Sequence, residues 1–206
     1  MDHGGALSRL SPAGTGAPDR GAAGPLGRAG GEVGLDGART VNLVPAQTVG
    51  DIETARALFC EYQRFLGVDL CFQGFAEELA TLPGRYAPPS GRLLLALEGT
   101  HAAGCVALRP LEEEGVCEMK RLFVRPAYRG QGLGYRLALQ IVNEATALGY
   151  AIMRLDTLDT LDSAMRMYAA MGFQRRTPYY ANPLPGVVYW ERGLLNHQQP
   201  CGPGAP

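Results

Sequence analysis

The segment Arg129-Gly130-Gln131-Gly132-Leu133-Gly134 places three glycines at alternate positions just before a long amphipathic stretch. Glycine lets a backbone approach a ligand without a Cβ clash. The first amides of a helix have no internal partner. Together these features form a nest for a phosphate or pyrophosphate, helped by the helix dipole, with Arg129 as a further cation. The following residues narrow the ligand. A nucleotide P-loop needs Gly-Lys-Ser/Thr, but this chain continues Tyr135-Arg136-Leu137. The dinucleotide fingerprint needs glycine where Tyr135 stands and belongs after a first strand, whereas about 90 residues of patterned chain precede this loop. The six residues by themselves also fit a tight strand-to-helix turn that holds nothing.

Metal chemistry has little support. Cysteines stand at 60, 71, 105, 117 and 201, with no Cys-x-x-Cys, which reads as a reduced cytoplasmic protein without a disulfide framework. His3, His101 and His197 lack zinc-site spacing, so no metal is expected. Tyr179, Tyr180 and Asn182 form a polar-aromatic cluster stiffened by Pro178, Pro183 and Pro185. It fits a lid or substrate wall, or equally a packed crossing between strands. Glu112-Glu113-Glu114 reads as a solvated turn, or as an attractor for a cationic acceptor.

The elements that must position these residues follow from periodicity. Val41–Leu43 is a short strand. Asp51 can cap a helix to about Leu66, in which Ile52, Ala55, Leu58, Phe59, Tyr62 and Phe65 recur at helical spacing. A second helix covers about 72–81. Three strands follow, at Leu93–Leu97, Gly104–Leu108 and Val116–Val124. The third loses clean alternation at Leu122-Phe123-Val124, which predicts a bulge or a change of neighbours there. Gly132–Leu148 is the strongest helix, with an apolar stripe of Leu133, Leu137, Ile141, Ala145 and Leu148, and Gly149 to stop it. Ile152–Thr157 is a strand. A short helix to Met171 has Thr160 or Asp162 as its cap, and Phe173–Arg176 and Val187–Glu191 are the last strands. The order predicts an α/β (α+β) fold, a mixed central sheet of about seven strands with helices on both faces.

Composition bounds the rest. Of 206 residues, 46% are hydrophobic and the formal charge is -1, which argues against a general electrostatic grip on nucleic acid. No apolar run approaches about 18 residues, so no membrane span is expected. Eleven of the 28 glycines fall in residues 1–39, a Gly/Ala/Pro-rich stretch without apolar period that reads as a disordered tail. Residues 196–206 read as a second tail, which leaves one domain over 40–195.

Taken with its surroundings, the glycine loop resembles the acetyl-coenzyme A motif of the GCN5-related N-acetyltransferases. Arg-Gly-x-Gly-x-Gly here follows a strand ending Leu-Phe-Val. Leu155-Asp156-Thr157, Ala164, Tyr168 and Gly172-Phe173 resemble that superfamily's second motif. The ending from Pro178 to Trp190 is similar to a bacterial branch of mostly unassigned substrate. The likeness spans about 40–194 and implies the acyl-CoA N-acyltransferase fold, with direct acetyl transfer from acetyl-CoA to a primary amine of a small molecule, peptide or lysine-like side chain, and coenzyme A as product. It implies that the amides of Gly130, Gln131, Gly132, Leu133, Gly134 and Tyr135 hold the pyrophosphate beside Arg129. Leu122, Phe123 and Val124 would run along the pantetheine arm where the sheet splays. Glu118 matches the position of the glutamate base in lysine-acetylating members, and its roles as base, substrate anchor or structural ion pair all stay open. Tyr168 matches the tyrosine that protonates the leaving thiolate, or else is a core aromatic. The pantetheine-contacting asparagine of many relatives is missing, and Asp159 or Asp162 stands nearby. Asp156, Tyr179, Tyr180 and Asn182 are the candidate acceptor residues, and Arg64, Tyr62, Phe72 and Gln73 are further ones from the first two helices. The protein is expected as a monomer or homodimer. A coenzyme-binding module without catalysis is the alternative.

Overall fold

The computed structural model describes residues 40–68 and 74–194. The segments read as tails, and Phe72 and Gln73, lie outside the described residues. Seven strands form one sheet in the order β1-β2-β3-β4-β5-β7-β6, where β1 is Val41–Pro45, β2 Arg92–Glu98, β3 His101–Pro110, β4 Val116–Val124, β5 Ile152–Leu158, β6 Gln174–Arg176 and β7 Val187–Gly193. The helices are α1 (Val49–Leu66), α2 (Phe75–Thr81), α3 (Leu133–Ala147) and α4 (Asp162–Ala170). The expected mixed sheet with helices on both faces is therefore present.

Consecutive buried residues in β2 and β3 serve opposite faces, as covered sheets require. Leu93, Leu95, Cys105 and Ala107 pack with Ala55, Leu58 and Phe59 of α1 and Phe75 of α2. Leu94, Ala96, Val106 and Leu108 pack with Leu137 and Ile141 of α3 and Tyr168 of α4. Leu137 and Ile141 are fully buried, each contributing about 1.5–3 kcal/mol of apolar transfer.

Element ends shift slightly from the sequence expectation, for local reasons. Thr48, not Asp51, caps α1: its hydroxyl accepts from the Asp51 amide at 3.1 Å, while the Asp51 carboxylate accepts from the Thr48 amide at 2.9 Å. That reciprocal box satisfies two amides that α1 cannot. Neither Thr160 nor Asp162 caps α4; Leu161 holds that place, with no side-chain cap. Tyr189 and Trp190 are neighbours on β7 and so face opposite sides of the sheet. Both are buried, Trp190 in the α3 core and Tyr189 against the rings of Tyr179 and Tyr180.

Two irregularities matter for function. Among the described strands the one parallel pairing is between β4 and β5, and it ends after Glu118↔Arg154. Above that point β4 stays with β3 to Val124 and β5 stays with β7 to Leu158, so the two halves of the sheet part. The second is a bulge in β4, one of the two outcomes expected near Leu122–Val124. Cys105 stands opposite Phe123 but Ala107 opposite Lys120, so β4 carries one extra residue, and Arg121 adopts φ 57°. No helix among the described residues is long and apolar enough to cross a membrane.

Candidate active site

The parting of β4 and β5 opens a cleft of ≈ 850 Å³. Its walls are β4 from Met119 to Val124, the loop and first turn of α3, the end of β5, α4, and the C-terminal end of α1.

At one end lies the glycine loop. Gly130 and Gly132 hold φ of 75° and 74°, a left-handed backbone that favours glycine, and a Cβ on either would meet open space. Gly132 caps α3 without a side-chain hydrogen bond. From Gly130 to Tyr135, no amide donates to another described residue; the first bonded amide is that of Arg136, to the Gly132 carbonyl. Six successive unpaired N–H groups at a helix start suit an anion with several oxygens. Leu122, Phe123, Val124, Arg129, Gly130, Gly132, Leu133, Gly134 and Tyr135 all line the cleft. Gln131 does not; its side-chain amide turns back to the Ala127 carbonyl at 3.5 Å. Arg129 is held over the Phe65 ring at 4.1 Å and donates to the Val124 carbonyl at 2.8 Å, which keeps its cation beside the loop.

Tyr168 of α4 lines the middle of the cleft and is 6% exposed. Its ring packs edge-on to Phe173, and its hydroxyl makes no hydrogen bond to any described residue. Burial pushes its pKa well up, so the phenol keeps its proton at neutral pH. Such a group can donate a proton or a hydrogen bond; it cannot act as a base.

At the far end two buried cations meet. Lys120 donates to Asp156 Oδ1 at 2.7 Å and lies 3.7 Å from Glu118 Oε1. Arg121 makes a two-pronged ion pair with Glu78 and lies over the Phe75 ring at 5.0 Å. On a regular strand these neighbours would face opposite sides. The bulge turns both toward the cleft. Asp156 also accepts from the Tyr180 hydroxyl at 3.0 Å, and Asn182 donates to Tyr180 at 2.9 Å. Burial would raise the Asp156 pKa, but the Lys120 ammonium and the Tyr180 hydrogen bond outweigh it and hold it below the usual carboxylate value. Glu78 is likewise held down, Arg121 outweighing burial.

Asp156 and Asn182 both line the cleft and are linked through the Tyr180 hydroxyl. Glu118 lies elsewhere. It is fully buried, outside the residues that line the cleft. Arg109 occupies one oxygen at 2.7 Å and the Tyr179 hydroxyl the other at 2.6 Å. Tyr179 points at this pair, not into the cleft. Asp162 lines the cleft, whereas Asp159 packs beside Gly186. Tyr62 lines the cleft and Arg64 does not. Glu113 pairs with Arg154 and is not turned to the cleft. The residues that sequence reasoning missed are Lys120 and Arg121 as cleft walls, and Glu78 as the partner of Arg121.

Residues 56–173 match the model of the acetyltransferase (GNAT) family. An uncharacterized N-acetyltransferase of Schizosaccharomyces pombe is 48% identical over 141 residues, 68% of this chain and 86% of that protein. A GNAT-family acetyltransferase of Staphylococcus aureus superposes with a TM-score of 0.64 at 19% identity, covering 76% of this chain and all of that one. The yncA protein of Salmonella typhimurium, solved with its cofactor acetyl-CoA, superposes with a TM-score of 0.55 at 17% identity, covering 79% of this chain and 98% of that one. Both superpositions speak for a shared fold.

Proposed function

The chain belongs to the acetyltransferase (GNAT) family, and from that premise we propose that it transfers an acetyl group from acetyl-CoA directly to a primary amine. The observation that carries this reading is the row of unpaired amides from Gly130 to Tyr135 at one end of a cleft lined by β4. These amides fit a pyrophosphate, with Arg129 alongside; Gln131 contributes its backbone. Leu122, Phe123 and Val124 line the stretch between that anion site and the acceptor end. When bound, acetyl-CoA supplies an activated thioester.

In the transfer the amine nitrogen forms a bond to the acetyl carbon as the carbon–sulfur bond breaks, and the proton lost from nitrogen is balanced by one gained at sulfur. Tyr168, neutral and with a hydroxyl that makes no hydrogen bond to a described residue, serves as the donor to that sulfur. Asp156 remains anionic at neutral pH and holds the amine in place. A carboxylate kept below its normal pKa is a weak base, so the amine's proton leaves through water. Glu118, tied to Arg109 and Tyr179, acts as a positioning residue that keeps Lys120 beside Asp156.

The test is thiol release from acetyl-CoA across a panel of amines, with coenzyme affinity measured separately. Amine-dependent release is expected. Tight coenzyme binding without release on any amine overturns the catalytic reading and leaves a coenzyme-binding module.

A further inference from the structure

Lys120 is 7% exposed and lines the cleft, yet among the described residues its three donors make a single hydrogen bond, to Asp156. Glu118 is near enough to attract the ammonium but not to accept from it, at 3.7 Å. A buried ammonium with unused donors facing a cavity calls for an acceptor oxygen in that cavity. Directly beside it, Asp156 accepts two hydrogen bonds, from Lys120 and Tyr180, and an ionised carboxylate can accept about four. The acceptor end therefore offers a cation with spare donors and an anion with spare lone pairs, side by side.

The wider charge of the cleft points the same way. Among the described residues lining it, the cations are Lys120, Arg121, Arg129 and Arg166, against only Asp156 and Asp162. Arg129 belongs to the glycine loop and Arg121 is already paired with Glu78, which leaves Lys120 and Asp156 as the charges beside Tyr180 open to an acceptor. A polyamine or another polycation, each of whose charges would need its own carboxylate, is disfavoured there, and a ligand that brings negative charge next to its amine is favoured.

We propose that the acceptor is a free α-amino acid, its carboxylate bound by Lys120 and its amine by Asp156, which makes Lys120 the residue that sets acceptor specificity. This rests on the acetyltransferase reading above and narrows it. An α-amino acid carries its two charges on neighbouring groups, matching the adjacent pair. The side-chain amine of a lysine within a peptide has no carboxylate at that spacing and leaves Lys120 unsatisfied.

The experiment compares kcat/KM for several L-amino acids with that for their amides, their decarboxylated amines, Nα-acetyl-lysine and spermidine. Calorimetric titration of the same compounds into the enzyme–coenzyme A complex gives a readout independent of turnover. Free amino acids should be preferred by about 10- to 100-fold in both, the discrimination one charge-assisted hydrogen bond supplies. Lys120→Met should abolish the preference and Lys120→Arg should keep part of it. If Lys120→Met does not fold, the wild-type comparison still decides. Amides, simple amines or spermidine used as well as amino acids overturns the proposal. Transfer to none of the amino acids by an enzyme that binds coenzyme also overturns it while leaving the family reading intact. Failure to bind acetyl-CoA at all removes the acetyltransferase reading itself.

Discussion

Two glycine-to-alanine substitutions two residues apart should have opposite effects. Gly132 sits at φ 74° with open space around its missing Cβ. Alanine there meets no neighbour, so its cost is purely the left-handed backbone, about 1–2 kcal/mol. Gly134 lies inside α3 at an ordinary backbone angle, and its Cβ would meet only Val124 Cγ2 at 3.8 Å, normal contact. Alanine there restricts the unfolded chain and improves helix propensity, a gain of up to about 1 kcal/mol. For a domain of this size, about 2–4 °C of Tm accompanies each kcal/mol. Gly132→Ala should therefore melt about 2–8 °C lower, and Gly134→Ala up to about 4 °C higher. Coenzyme binding should divide the same way. Relief of the strained φ in Gly132→Ala re-aims the amides on either side of it. Losing one charge-assisted hydrogen bond weakens affinity by about 10- to 150-fold. Gly134→Ala leaves the row in place and should bind within about 3-fold of wild type. Differential scanning fluorimetry and calorimetric titration of coenzyme A read both quantities on the same samples. Equal effects of the two substitutions, or a Gly132→Ala protein with unchanged affinity, would refute the assignment of the amide row as the anion site.

Three further outcomes follow from the geometry. Tyr168→Phe removes only a hydroxyl with no hydrogen bond to a described residue, so Tm should barely move while kcat falls about 10-fold or more with coenzyme affinity retained; unchanged turnover by the folded variant ends the proton-donor role. Glu78→Gln leaves the buried Arg121 guanidinium without its anion and should cost about 3–5 kcal/mol in urea unfolding, and a cost below about 1 kcal/mol refutes the buried-pair account. Asp156 and Glu78 both have folded pKa values below their unfolded ones, so their stabilisation is complete above about pH 4–5 and is lost as pH falls through the folded values; urea midpoints measured from pH 7 to pH 3 should decline in wild type and decline less steeply in Asp156→Asn.

Legibility in the sequence followed distance along the chain. The glycine loop and α3 were readable because their signals are local: alternate glycines, then Leu133, Leu137 and Ile141 at helical spacing. The loss of alternation at Leu122–Val124 correctly flagged a bulge near there, since period two is the one pattern a strand must keep. What the bulge does to Lys120 and Arg121 was hidden, because its direction depends on the pairing of β3 with β4. The fate of Glu118 was hidden for a related reason. One of its partners, Arg109, stands directly opposite it across the β3–β4 ladder, but the other, Tyr179, arrives from 61 residues downstream. Chemical type said that Glu118 could be a base; only the folded chain decides whether its oxygens face a cavity or two donors.

The bulge also explains why two cations can be buried at adjacent positions of β4. Arg121 pays for its left-handed φ with about 1–2 kcal/mol of strain, as any non-glycine residue would. Its two hydrogen bonds to Glu78, at 2.8 and 2.5 Å, contribute about 1.5–3 kcal/mol each and offset that strain. Tyr86 donates to the same carboxylate, which anchors Glu78 further. Lys120 is compensated separately, by Asp156 across the opening between β4 and β5. The two neutralising carboxylates thus come from different halves of the protein, one from α2 and one from β5. Arg121 is closed off by a complete ion pair, whereas Lys120 keeps spare donors at the opening itself. Of the two cations, it is therefore Lys120 that can exchange part of its hydrogen bonding with a ligand without leaving a buried carboxylate unpaired.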